Sequence, residues 1–151
     1  MKLLALHTQH NTLGAKMGAF AGFDMPLTYK GVKAEHLCVR EHVGVFDVSH
    51  MGEFIVSGDA ALDLLQYTTS NDVAALAVGA AQYGYMPNEN GGVADDLLIY
   101  RLEEKKYMLV VNASNMDKDW HWLNEQNNSF GATLTNASAD YALLAVQGPK
   151  A

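Results

Sequence analysis

The 151-residue sequence has a single cysteine, Cys38, which excludes a disulfide framework and any multi-cysteine metal cage. Positive charge is also scarce: ten Lys and Arg stand against seventeen Asp and Glu, for a formal charge of −7. A protein that binds nucleic acid by displacing counterions from phosphates carries the opposite balance, so no nucleic-acid partner is expected. No apolar run approaches the roughly 20 residues of a membrane-spanning helix, so no membrane partner is expected either. The opening MKLLALHTQHN has one Lys and a short apolar patch broken at His7, too short for a signal peptide. There is no glycine-rich nucleotide loop and no HExxH, and no cysteine joins the six histidines at ligand spacing, so no metal is expected. What is present is 49% hydrophobic residues, on a chain long enough to bury about 70% of its unfolded surface without a staple. That describes an acidic domain of a reducing compartment.

Hydrophobic periodicity organises the chain. GAKMGAFAGF at 14–23 reads as a twisted β element that the DMP at 24–26 should stop. Residues 31–43 place Val32, His36, Val39 and Val43 on one helical face, with Gly44 at the left-handed position after the helix. MGEFIVSG from Met51 alternates as a strand. DAALDLLQYTT at 59–69 reads as a helix capped by Asp59, with Ala61, Leu62, Leu65 and Tyr67 as apolar surface. AQYGYMPN and VADDLLIYRL, separated by NENGG, read as a hairpin, followed by a buried strand at 107–112. Residues 114–128 form a helix capped by Ser114, with Met116, Trp120 and Leu123 on one face. Strands at 131–138 and 141–148 close the chain. The predicted fold class is α+β: an antiparallel-rich sheet with a split βαβ (ferredoxin-like) unit, preceded by an N-terminal hairpin-and-helix segment. The segment 44–52 is the candidate joint.

Chemistry concentrates at Asp95-Asp96. A strand alternates faces, so adjacent carboxylates point to opposite sides, and one should share the side of Leu98 and Tyr100. Desolvation there suits a general acid or base; the competing reading is an acidic pair that merely solvates or caps the turn. Tyr83, Tyr85 and Tyr100 could wall a flat heterocyclic ligand, or simply pack across strands. Cys38, mid-helix, reads as a buried, inert thiol, and His121 as an exposed helix position between core indoles. Asp47, Ser49 and His50 look triad-like, but neighbours in an extended segment point apart, so Ser49 cannot bond His50 as a nucleophile bonds its base.

LGAKMGAFAGFDMPLTY, AEHLCVREHVGVFDVSHMGEFIVSG, NENGGVADDLLIY, VVNASNMDKDW and LLAVQGPKA run in order from Leu13 to Ala151. Together they resemble the N-terminal part of the aminomethyltransferase family, the T-protein of the glycine cleavage system. The resemblance implies a transfer in which a lipoyl-bearing H-protein delivers an aminomethyl group, tetrahydrofolate takes the methylene, and ammonia leaves. It places the essential carboxylate on Asp96 and folate contacts on Met51, Tyr83, Tyr100 and Asn112, with Val111 as a further position; Asp95 is taken as structural. It implies three parts: residues 1–50 in the family's first domain, 51–140 as a ferredoxin-like folate-contacting unit, and 141–151 as the start of a strand returning to the first domain. The family continues well past QGPKA. These residues alone are therefore expected to bind folate weakly and turn over little, and the last strand risks an unpaired edge. Bacterial cytoplasm, or the mitochondrial matrix in a eukaryote, is the expected setting. The rival expectations are a folate-binding relative without transferase activity and a non-catalytic interaction domain.

Overall fold

A computed structural model describes all residues from Met1 to Ala151. Two compact units divide the chain: Met1–His50 with Ala142–Ala151, and Met51–Tyr141.

The first unit opens with β1 (Lys2–Leu3), α1 (His7–Thr12), β2 (Lys16–Phe20), β3 (Phe23–Thr28), α2 (Val32–Glu41) and β4 (Gly44–Asp47). β3 lies between β1, its parallel neighbour, and β2, its antiparallel one. The DMP sequence does not stop this strand. Pro26 lies within it, because β1 pairs only with Phe23 and Asp24 and the β2 ladder shifts register between Lys16 and Met17. The tight turn at Ala21 and Gly22 takes positive φ at both residues, 47° and 84°, as a two-residue hairpin of that hand requires. α2 forms where its spacing predicts, and Glu35 helps start it by accepting the backbone N–H of Tyr29 at 2.7 Å and of Gly31 at 2.8 Å. No residue of α2 is buried, and Val32 is 72% exposed. Gly44 is not a left-handed cap but the first residue of β4, where a Cβ would collide with the Val39 side chain. Cys38 is exposed rather than buried, its Sγ 3.6 Å from the Val43 carbonyl, because α2 presents that side outward.

The second unit runs β5 (Gly52–Ser57), α3 (Ala61–Thr68), β6 (Ala81–Pro87), β7 (Val93–Glu103), β8 (Lys106–Val111), α4 (Met116–Asn127) and β9 (Thr133–Asn136). Its sheet has the order β6-β7-β8-β5-β9, antiparallel throughout. β5 and β7 run the same way with β8 between them, as do β8 and β9 with β5 between them. This is the doubled split βαβ of a ferredoxin-like sheet, with β6 added at the edge. The β6–β7 hairpin turns where NENGG allows it. Asn88 Oδ1 accepts the N–H of Asn90 at 3.1 Å and of Gly92 at 2.9 Å, and Gly91 takes φ of 76°.

One face of this sheet carries Phe54, Val56, Leu97, Ile99, Tyr107, Leu109 and Val111, which join Leu64 and Leu65 of α3 and Leu123 of α4 in a single core. α3 buries Ala61, Leu64, Leu65 and Thr68, the i, i+3, i+4, i+7 set, while Tyr67 stays 65% exposed. Neither expected cap forms. Ala60 precedes α3 without a side-chain bond, and Asp59 instead meets Lys105 Nζ at 2.5 Å. A 3₁₀ turn over Ala113–Asn115 leads into α4, so Ser114 lies inside that turn and Asn115 occupies the cap position. The closing strand β10 (Leu144–Gln147) belongs to the first unit and pairs antiparallel with β4 along its length, so the last strand does have a partner.

Candidate functional site

The register of the hairpin decides what Asp95 and Asp96 do. Asp95 points to the core face with Leu97 and Ile99 and is 9% exposed. Asp96 points to the opposite face with Leu98 and Tyr100, half-buried. On that face Tyr85 lies directly across from Asp96 and Tyr83 across from Leu98. The diagonal tyrosine makes the bond: Tyr83 Oη donates to Asp96 Oδ2 at 2.7 Å. Asn112, just past the end of β8, donates Nδ2–H to Asp96 Oδ1 at 2.8 Å and to Asp95 Oδ1 at 3.1 Å. Both oxygens of Asp96 are thus held, and the hydrogen bond to Asp96 raises the Tyr83 phenol pKa, keeping it a donor.

Of the sequence-predicted positions, Tyr83, Asp96 and Asn112 form one hydrogen-bonded group. Tyr100 shares the Asp96 face further along β7, half-buried, and Met51 immediately precedes β5, also half-buried. Val111 lies on the other face, fully buried in the core, so only its main chain is available to a ligand on the Asp96 side.

Three residues escaped the sequence reading. Asn115 Nδ2 donates to Asp95 Oδ2 at 3.0 Å instead of capping α4. Asp119 of α4 is fully buried, and neither of its carboxyl oxygens has a hydrogen-bond partner; burial, reinforced by the neighbouring Asp95 carboxyl, pushes it up to about 7. Burial also acts on Asp95, but the Asp119 carboxyl beside it and its bonds with Asn115 and Asn112 outweigh that and hold it below the usual carboxylate range. Glu53 of β5 is 1% exposed, with no hydrogen-bond partner for either carboxyl oxygen, and burial pushes it up to about 7. Glu53 pairs with Val110, as does Leu98 from the other side, so Glu53 shares the sheet face of Asp96. Alternation alone put Glu53 beside Met51 and Ile55 on that face; nothing local signalled its burial.

The other candidates resolve simply. Ser49 Oγ bonds the main chain of Leu143, accepting its N–H at 2.9 Å, and Asp47 pairs with His10 at 2.7 Å, so no triad exists. His121 is exposed and meets Glu125 at 3.3 Å, between half-buried Trp120 and Trp122. No three His, Cys, Asp or Glu side chains converge as metal ligands, and no helix is long and apolar enough to cross a membrane. A cleft of about 380 Å³ lies within the first unit, lined by Met25, Leu27, Tyr29, Val39 and Phe46 among others; none of the predicted site residues borders it.

A family model described as the GCVT N-terminal domain matches residues 6–151. The chain belongs to this family. An aminomethyltransferase of Flavobacterium psychrophilum is 56% identical over 151 residues, all of this chain and 42% of that protein. One of Bacteroides fragilis is 58% identical over the same span, again 42% of its length. The crystal structure of glycine cleavage system aminomethyltransferase T from Bartonella henselae superposes with a TM-score of 0.92 at 43% identity, over 99% of this chain and 41% of that one. This GCVT N-terminal domain therefore spans about two-fifths of the length of the curated relatives it matches.

Proposed function

We propose that these residues supply the catalytic carboxylate and part of the folate-binding face of a tetrahydrofolate-dependent aminomethyltransferase of glycine cleavage. In the proposed reaction an H-protein presents an aminomethyl group on its lipoyl sulfur, the carbon passes to tetrahydrofolate as a methylene, ammonia leaves, and the dihydrolipoyl arm is released. The observation that carries the reading is the fixed carboxylate of Asp96. Tyr83 and Asn112 hold its two oxygens on a face that also carries Leu98 and Tyr100. A preorganised carboxylate stabilises positive charge developing at a nitrogen or a methylene beside it, and can take or give the proton that moves there.

The residues fit a reduced pterin. Tyr83, Tyr100 and Met51 offer aromatic and thioether surface to a flat ring, and Asp96 accepts hydrogen bonds from ring N–H groups. Both Nδ2 hydrogens of Asn112 are committed to Asp95 and Asp96, so a ligand would meet its Oδ1 and must present a donor there. In this reading Met51–Tyr141 is the folate-contacting unit, no metal takes part, and the setting is the bacterial cytoplasm, or the mitochondrial matrix in a eukaryote.

The test is a chimera in which residues 1–151 replace the matching stretch of the Flavobacterium enzyme. Asp96→Asn should lower methylene transfer by about 10²- to 10⁴-fold, the usual contribution of a positioned acid–base group. An unchanged rate would overturn the assignment of Asp96. Amide shifts at Tyr83 and Asn112 on adding 5-formyltetrahydrofolate, in a chimera with no transfer activity, would instead favour a folate-binding relative without transferase activity.

A further inference from the structure

Asp119 has no role in the reading above, yet it is the most completely buried charged-type side chain in its unit, at 0% exposure. Neither of its oxygens has a hydrogen-bond donor in reach. Lys118 Nζ stands 3.7 Å from Oδ1 and is itself committed to the Ala94 carbonyl at 2.5 Å. The remaining polar neighbour is the Asp95 carboxyl. Two carboxyl groups attract only if a proton lies between them, and a buried, unpaired second anion is costly. Below about pH 7 the pair therefore holds one proton, carried by Asp119, because Asp95 already accepts from Asn112 and Asn115 while Asp119 accepts from nothing.

This arrangement extends to the other face of the sheet. Asn112 has two Nδ2 hydrogens, one for Asp95 Oδ1 and one for Asp96 Oδ1. The orientation of the Asp96 carboxylate thus depends on an amide whose second anchor is Asp95, and Asp95 is held in turn by Asn115 at the start of α4, with the buried Asp119 carboxyl as its neighbour. We propose that Asp119 is a positioning residue for Asp96: as a neutral acid donating to Asp95, it fixes the Asp95–Asn112–Asp96 chain from the core side. The proposal rests on the reading of Asp96 as the acting carboxylate only for its functional meaning; the positioning itself can be measured without turnover. Ionising Asp119 would set two buried anions in contact, with Asp96 one amide away. The groups facing it are Asp95 from β7 and Lys118 from its own helix.

The experiment is a carboxyl-carbon and side-chain-amide NMR titration of the 151-residue chain, pH 4 to 9, on wild type, Asp119→Asn, Asp119→Leu and Asp95→Asn. In wild type the Asn112 NH₂ signals should move together with the Asp119 carboxyl, whose midpoint lies near 7. Asp119→Asn keeps a donor toward Asp95, so it should abolish that titration while leaving the Asn112 signals at their low-pH positions. Asp119→Leu removes the donor, and should displace the Asn112 side-chain signals and the Asp96 carboxyl-carbon signal from their wild-type low-pH positions. Should Asp119→Leu fail to give a dispersed spectrum, Asp95→Asn decides: an amide now donates to Asp119, whose midpoint should fall by about one pH unit or more. Asn112 signals and an Asp96 carboxyl-carbon signal unmoved in a folded Asp119→Leu, or an Asp119 midpoint unmoved in Asp95→Asn, would overturn the proposal. A normal transfer rate for Asp96→Asn in the chimera, with these NMR results intact, would instead sink the catalytic reading and leave Asp119 positioning a carboxylate with another purpose.

Discussion

The two units are held together by different physics. The second buries almost every apolar side chain of the core, from Phe54 and Val56 through Leu109 and Val111 to Leu123, whereas the first buries only Leu4 and Met25 among its hydrophobic residues. In place of a core, the first unit has polar ties. His7 meets Asp24 at 2.8 Å, His10 lies between Tyr29 at 2.6 Å and Asp47 at 2.7 Å, and Lys150 reaches His42 at 3.0 Å. It also leaves Phe20, Leu27, Val45 and Val146 exposed. Stability that comes from apolar burial is non-directional and shared by many residues, while stability from a few charged contacts depends on pH and on each partner. The candidate catalytic carboxylate stands on the unit with the larger core. Its supporting bonds are therefore anchored in strands that resist local opening.

The largest effect that would sharpen this contrast is Phe54→Ala, which empties the centre of the second unit. It should cost about 3–5 kcal/mol, against about 2 kcal/mol for Leu4→Ala in the first unit, read by urea unfolding. In hydrogen exchange, β5 and β8 amides should outlast those of β2 and β3. Equal protection in both places would break the comparison.

Next in size is the pH dependence. Glu53 and Asp119 both sit near 7 in the folded protein, well above their ordinary values of 4.5 and 3.8. Between about pH 4 and pH 7 the folded state holds protons that the unfolded state has released. Stability from these two groups is therefore complete below pH 4 and lost as pH rises through 7, at about 1.4 kcal/mol for each pH unit that separates a group's folded and unfolded midpoints. Asp47 and Asp95, held below the usual range, work in the opposite direction and lose their contribution in acid. Glu53→Gln should match wild type near pH 4 and be more stable by about 3 kcal/mol at pH 8. A variant less stable than wild type at pH 8 would show that the ionised Glu53 carboxylate has a partner.

The smallest effect expected is Tyr83→Phe. It removes one donor to Asp96 at an exposed position, so stability should barely change while Asp96 Oδ2 loses the phenol that holds it. Urea unfolding and the Asp96 carboxyl-carbon shift measure this, and a carboxyl-carbon signal that stays put would mean that the Tyr83 bond does not hold the carboxylate.

Much of the second unit was legible in its residues. Alternation in MGEFIVSG and VADDLLIY, and the NENGG turn between two strands, set the strands and the opposed faces of Asp95 and Asp96, because side-chain direction in a strand follows from backbone geometry alone. The resemblance of ordered blocks along the chain added the choice of Asp96 over Asp95, which alternation had left open. Other features were not legible. The helix caps at Asp59 and Ser114, the buried Cys38 and the stop at Pro26 were all local expectations, and each was overridden by what the neighbouring elements did or did not supply.

In the second unit, sequence by itself therefore determined which residues form strands, where the hairpin turns and which way each aspartate points, since these depend on neighbours one to four positions away. Tertiary structure decided the charge state. Asp119 lies 24 residues from Asp95, and Glu53 is an ordinary strand glutamate until its surroundings exclude water. Protonation depends on the solvent and partners that distant segments bring to a group, and no pattern along the chain encodes that environment.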